Sequence, residues 1–272
     1  MLTQLKSALL SVGRGAYHVL PQKLRVSVAG AILPQTPRPT TIQMGLLAAM
    51  KLEVSPRQER SYIFGTHEPE VQEALPRLVR PGMTVLDIGA NIGYFALGLW
   101  KLVGNEGRVV AFEPNGPSLT RLRRNIELNN AGEVSVEGCA VSDYDGEAQF
   151  SNALSDTQGR FADLPYLPSN ARVVTVPCCT IDSYVVRTGL KPAFIMMDVE
   201  HAEGRVLKGM RETLSKLKPT LLVEMHGTTA IEEAWEELRR ANYRVQLLPG
   251  MTGIESSSQI PELSHCVCTP IN

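Results

Sequence analysis

From residue 82 onward, short unbroken apolar runs alternate with longer stretches of helical spacing. The runs "MTVLDIG" (83–89), "RVVAFE" (108–113), "EVSVEGCAVS" (133–142), "AFIMMD" (193–198) and "TLLVEM" (220–225) predict five buried strands. "YRVQLL" (243–248) and "SHCVCTP" (264–270) predict two more. Between them, residues 94–103, 118–130, 180–189, 202–218 and 230–243 place apolar side chains three and four apart, which predicts helices. Ser118 suits the start of the second of these, and Gly189 the end of the third. Residues 143–176 are irregular, with a hairpin expected between "EAQF" and "RVVTV". Strands apolar on both faces that alternate with helices predict a parallel sheet covered on both sides. Such a sheet binds ligands beyond the carboxyl ends of its strands.

Composition narrows the picture. The 272 residues are 43% hydrophobic and 20% charged, as in one large α/β domain with an extension. A net charge of −1 gives no field to draw in nucleic acid or an anionic membrane. The five cysteines form no C-x-x-C pair, so buried free thiols in a reducing compartment are expected, which implies a cytoplasmic location. The division expected is an N-terminal extension over 1–59 and a catalytic domain over 60–272. No acid precedes Glu53, and Leu2, Leu5, Leu9 and Val12 can share one side of a helix. An interfacial membrane helix, a targeting segment and an extension packed on the domain all fit; the packed extension is favoured.

"DIGANIGYF" (87–95) places Gly89 and Gly93 around a tight strand-to-helix turn. Glycine permits positive φ there and a close approach of backbone to ligand. Glu113 ends the next strand, where a carboxylate can accept two ribose hydroxyls. A dinucleotide fingerprint would need glycine where Asn91 stands. A nucleoside without a pyrophosphate lacks that requirement, so S-adenosylmethionine fits better than NAD.

"DIGANIGYF", "AFEPN", "CAVSDYDG", "TIDSY", "MMDVEHAEGRVLKG" and "LLVEMHG", with the upstream "GTHEPEV", run in the order seen in the FkbM family of methyltransferases, which this chain resembles over about residues 60–270. The resemblance implies a Rossmann-like class I methyltransferase fold with a seven-stranded sheet, its last strand inserted antiparallel. It also implies S-adenosylmethionine as cofactor and O-methylation of a small molecule, such as a sugar or a polyketide-like product. By the same resemblance Asp87, Gly89, Asn91 and Gly93 form the cofactor turn, Glu113 with Asn115 holds the ribose, and Ala140, Val141 and Asp143 lie by the adenine. Glu68 then lies near the cofactor. Asp143 can equally be a turn residue, and Glu68 a solvated loop acid. The chain departs from the family pattern at two places: Met196 replaces a lysine and His201 a glycine.

"DVEHAEG" follows the fourth strand, and "EMH" closes the fifth. Asp198, His201, Glu224 and His226 are therefore the candidate catalytic groups. The acceptor oxygen of a methyl transfer must lose a proton, and a positioned base or a metal ion can take up that charge. Asp198 and Glu224 are the candidate ligands of a divalent cation such as Mg²⁺. Glu200 and Glu203 are expected mainly to start the next helix, where acids gain from its dipole. His201 is either a neutral base or a surface residue of that helix's first turn. The partner expected is a small-molecule hydroxyl acceptor, with no nucleic acid. A non-enzymatic binding module and a nucleic-acid methyltransferase are the alternatives.

Overall fold

The computed structural model describes residues 36–152, 159–164 and 171–271. The amphipathic stretch around Leu2 to Val12 lies outside them. The chain starts with a hairpin of β1 (Arg38–Thr41) and β2 (Lys51–Val54), then helices α1 (Arg60–Ile63) and α2 (Pro69–Leu78). β3 (Thr84–Ile88), α3 (Tyr94–Val103), β4 (Arg108–Phe112), α4 (Gly116–Leu128) and β5 (Val134–Glu137) follow. Next come β6 (Ala140–Val141), β7 (Gly146–Asn152), β8 (Gly159–Phe161) and β9 (Arg172–Cys179). The rest is α5 (Ile181–Thr188), β10 (Phe194–Met197), α6 (Glu203–Lys208), α7 (Arg211–Lys216), β11 (Thr220–His226), α8 (Thr228–Arg240), β12 (Tyr243–Leu247), β13 (Thr252–Ile254) and β14 (Leu263–Pro270).

The main sheet has the order β13-β12-β14-β11-β10-β3-β4-β5. β11, β10, β3, β4 and β5 are parallel, and β14 is inserted antiparallel between β11 and β12. This is the class I methyltransferase arrangement that the resemblance implies, with the three-residue β13 added at one edge. Side chains alternate across it as the pleat requires. Val85, Val109, Phe194 and Met196 pack on one face with α3 and α4, while Leu86, Val110, Ile195 and Met197 pack on the other with α5 to α8. Each such buried side chain contributes roughly 1.5–3 kcal/mol, and together they fix where the strand ends point.

Three local details differ from the sequence reading. The helix expected over 202–218 is two helices, broken at Gly209 and Met210. A Cβ on Gly209 would lie 2.0 Å from the carbonyl oxygen of Ser142, so α6 stops where it meets that backbone. The strand expected over 133–142 also divides: β5 stays in the main sheet, and β6 pairs with β9 in a second, four-stranded sheet. That sheet contains the expected hairpin, with Ala148 opposite Val176. The N-cap of α4 is Asn115, with Pro117 at the second helical position, not Ser118.

The β1–β2 hairpin lies against α4. Asn125 and Asn129 accept the backbone N–H groups of Glu53 and Lys51, and Arg121 grips Glu59 at 2.6 and 2.8 Å. Ile42, Leu47, Leu52 and Val54 join the core beneath.

Candidate active site

A cleft of about 450 Å³ opens at the carboxyl ends of β3, β4, β10 and β11. β3 ends at Ile88 and the turn 89–93 follows. Gly89, Asn91 and Gly93 have φ of +87°, +51° and +90°. Asparagine tolerates the left-handed region better than most residues, which lets it stand between two glycines. The turn is tied to the next strand end by Glu113, which is buried. One of its oxygens accepts the N–H of Asn91 at 2.7 Å and the other the N–H of Asn115 at 2.7 Å. Each oxygen keeps a second lone pair for a ligand hydroxyl. Burial pushes the Glu113 carboxyl up to about 7, against those two hydrogen bonds.

Two unsatisfied groups lie beside it. Asp87 Oδ2 and both side-chain amide atoms of Asn115 are buried without a hydrogen-bond partner. Burial, with the charges of Glu113 and Glu68, raises Asp87 to about 7. Buried polar atoms without partners are rare in folded proteins, and here they accompany a cleft wall suited to a polar nucleoside. Asp87, Gly89, Asn91, Glu113 and Ala140 line the cleft; Gly93 and Asn115 stand just behind it. Asp143 is not among the lining residues; its carboxylate binds Lys208 Nζ at 2.6 Å. Cys139 and Val141 flank Ala140 on that wall.

β10 and β11 are adjacent and in register, so Asp198, just past the end of β10, stands beside Glu224 of β11. Donor atoms of Asp198, Glu224 and His226 lie within 4.8 Å of one another. His226 Nε2 is 3.8 Å from Asp198, 3.9 Å from Glu224 and 3.9 Å from Glu200. Removal from water, then the charges of Glu224 and Glu200, hold the Asp198 carboxyl well above the usual carboxylate range. Removal from water and the charge of Glu68 also raise Glu224. The cluster is thus poised to receive a cation or a shared proton.

Glu203 departs from its expected role. It is the first residue of α6, but its side chain is fully buried and turned inward, and its Oε1 lies 2.7 Å from His226 Nδ1. Burial lowers the His226 imidazole, but Glu203 and the charges of Glu224 and Glu200 outweigh it and hold the ring above its ordinary value. His201 also departs from expectation. Its Nδ1 donates to the carbonyl oxygen of His226 at 3.0 Å, and the residue is not among those lining the cleft. Its φ of +73°, like the +49° of Glu200, lies in the left-handed region that glycine adopts most easily.

The opposite wall comes from the segment before α2. Glu68 has φ of +42° and lies between His67 Nε2 at 3.0 Å and His265 Nε2 at 3.1 Å. His265 Nδ1 is 3.1 Å from Glu70. Burial would raise Glu68, yet its two histidine contacts together lower it to about 2. Tyr62, His67, Tyr94 and Phe95 stack as an aromatic group beside it, with ring centroids 4.3–5.6 Å apart. Sequence reasoning missed His265, although a histidine in an apolar strand was a visible signal. It missed the Glu203–His226 pair because a helix-start acid hides a buried one.

The methyltransferase FkbM domain matches residues 87–245, more than half of the chain. The chain belongs to the FkbM methyltransferase family. Among solved structures it is similar to a methyltransferase FkbM from Methylobacillus flagellatus KT, at 20% identity and a TM-score of 0.44, over 77% of this chain and 52% of that one. It is also similar to a SAM-dependent O-methyltransferase from Thermotoga maritima, at 11% identity and a TM-score of 0.43, over 75% of this chain and 64% of that one. A third is an rRNA methylase from Streptococcus thermophilus, at 9% identity and a TM-score of 0.47, over 75% of this chain and 96% of that one. This chain thus spans about half the length of the Methylobacillus protein. Among curated proteins none matches. Among the described residues, no helix is long and apolar enough to cross a membrane.

Proposed function

We propose that this FkbM-family protein transfers a methyl group from S-adenosylmethionine to a hydroxyl of a small, non-anionic acceptor, such as a sugar or a polyketide-like molecule. One observation carries the reading. A ribose-type acid, Glu113, and the Asp198–Glu224–His226 cluster line the same cleft.

Asp87, Gly89, Asn91, Glu113 and Ala140 would hold the cofactor, and the unpartnered atoms of Asp87 and Asn115 supply polar partners for it. When bound, the cofactor supplies a methyl group on a positively charged sulfonium. The carboxylates of Asp198, Glu200 and Glu224 favour positive charge at that end of the cleft and repel an anionic acceptor. This argues against a polyanionic substrate such as nucleic acid. Asp198 orients the acceptor hydroxyl by hydrogen bonding, and His226 takes its proton at Nε2. A base so placed contributes about 10²–10⁴-fold.

The donor set favours a second reading, a divalent cation at Asp198, Glu224 and His226. Its ligand atoms lie within 4.8 Å, and Asp198 Oδ1 is buried without a hydrogen-bond partner. The test is transfer of labelled methyl from S-adenosylmethionine to a panel of neutral polyols and phenols, with and without a chelator. Chelator-insensitive transfer supports His226 as the base, and chelator-sensitive transfer supports the metal. Cofactor binding with no transfer to any acceptor class, including RNA, would favour a binding module.

A further inference from the structure

We propose that Glu203 is a positioning residue of the reaction: it holds the Nδ1–H of His226, so that Nε2 presents its lone pair to the acceptor. The inference rests on His226 as the proton acceptor, as proposed above.

The packing drives Glu203 inward. A Cβ on the next residue, Gly204, would lie 2.4 Å from the Cβ of Glu233 on α8, so α6 sits tightly against α8. Glu203 immediately precedes this contact, and its side chain is fully buried. A helix-start acid gains from the helix dipole while exposed to water, so the dipole alone does not require this burial. Burying a carboxylate is costly unless it meets a charged or hydrogen-bonding partner. Its Oε1 meets two: His226 Nδ1 at 2.7 Å and the backbone N–H of His201 at 3.2 Å.

The consequence is chemical. A carboxylate accepts only, so Nδ1 must donate, and in the neutral ring the free lone pair sits on Nε2. That nitrogen is the one among Asp198, Glu200 and Glu224 at the cleft. His201 Nδ1 binds the carbonyl oxygen of His226, which fixes the same residue from its backbone side. A carboxylate that sets both tautomer and ring orientation of a histidine is a recurring device in proton-transfer sites.

The test uses the full chain with ¹⁵N-labelled histidine and long-range ¹H–¹⁵N spectra, recorded over a rising pH series and read where the His226 ring has lost its charge. Wild-type His226 should be the Nδ1–H tautomer. In Glu203→Gln the neutral amide oxygen is a weaker acceptor for Nδ1–H than the carboxylate, so the Nδ1–H tautomer should lose its dominance and Nε2–H should become populated. In the methyl-transfer assay kcat should fall about 10²-fold, the lower end of what a base contributes. Affinity for S-adenosylhomocysteine should change less than about twofold, because Glu203 lies off the cofactor turn. An Nε2–H tautomer in the wild type, or wild-type tautomer and kcat in Glu203→Gln, overturns the inference. Should Glu203→Gln fail to fold, the wild-type spectrum alone decides. Full turnover by His226→Asn would instead sink the proposed role of His226, whatever the tautomer.

Discussion

A Cβ on Gly89 would lie 1.8 Å from the carbonyl oxygen of Asp198, so the cofactor turn and the loop after β10 meet backbone against backbone. Asp198 N–H also bonds the carbonyl oxygen of Ile88 at 2.9 Å. Any side chain at 89 must push these loops apart and adopt φ of +87°, a strain of about 1–3 kcal/mol before the clash is counted. Gly89→Ala should therefore lower thermal stability and weaken S-adenosylhomocysteine binding together. A variant with wild-type melting temperature and affinity would show that the contact is not a constraint.

Asp198→Asn keeps the shape of the side chain and replaces its carboxyl by an amide. Turnover should fall by at least about 10²-fold, because the amide can neither take up a proton nor accept from the acceptor hydroxyl at both of its atoms. Cofactor affinity should fall far less, since the proposed nucleoside contacts are with Glu113 and the turn 89–93. Steady-state kinetics beside calorimetry would check this, and equal losses in both would reassign Asp198 to cofactor binding.

The Glu68–His265 pair should make stability depend on pH. Burial lowers His265, but its contact with Glu68 and the charges of Glu224 and Glu70 outweigh that, so the folded imidazole lies above its unfolded value of about 6.5. Its contribution is complete below that value and is lost as pH rises through the raised one. Glu68, lowered to about 2, contributes above its unfolded value and loses that contribution as pH falls toward 2. His265→Gln should cost about 1.5–3 kcal/mol near pH 6 and less at high pH. Denaturant unfolding at several pH values measures the difference. A cost that does not shrink as pH rises would mean the pair is not charged.

Much of the fold was legible because each parallel strand is a continuous apolar run and each helix has its own period. The turn 87–95 and Glu113 were legible for the same reason: a glycine turn and a strand-end acid have fixed places in such a sheet. What stayed hidden depends on contacts distant in sequence. The break at Gly209 comes from the backbone of Ser142, and His265 reaches Glu224 only through the register of β11 with β14. Glu203 was read as a helix-start acid of little consequence. It does stand there, but the packing of α6 on α8 turns it toward His226.

Calorimetric titration of S-adenosylhomocysteine into wild type and Glu113→Ala tests the central claim most directly, because it needs no acceptor. The account predicts saturable one-to-one binding by wild type and a loss of about 1–3 kcal/mol in the variant, the scale of a lost charged acceptor. Because burial raises Glu113 to about 7, wild-type affinity should also weaken as pH falls below that value and the carboxyl takes up a proton. No binding by the folded wild type, or equal affinity in a folded Glu113→Ala, would contradict the account.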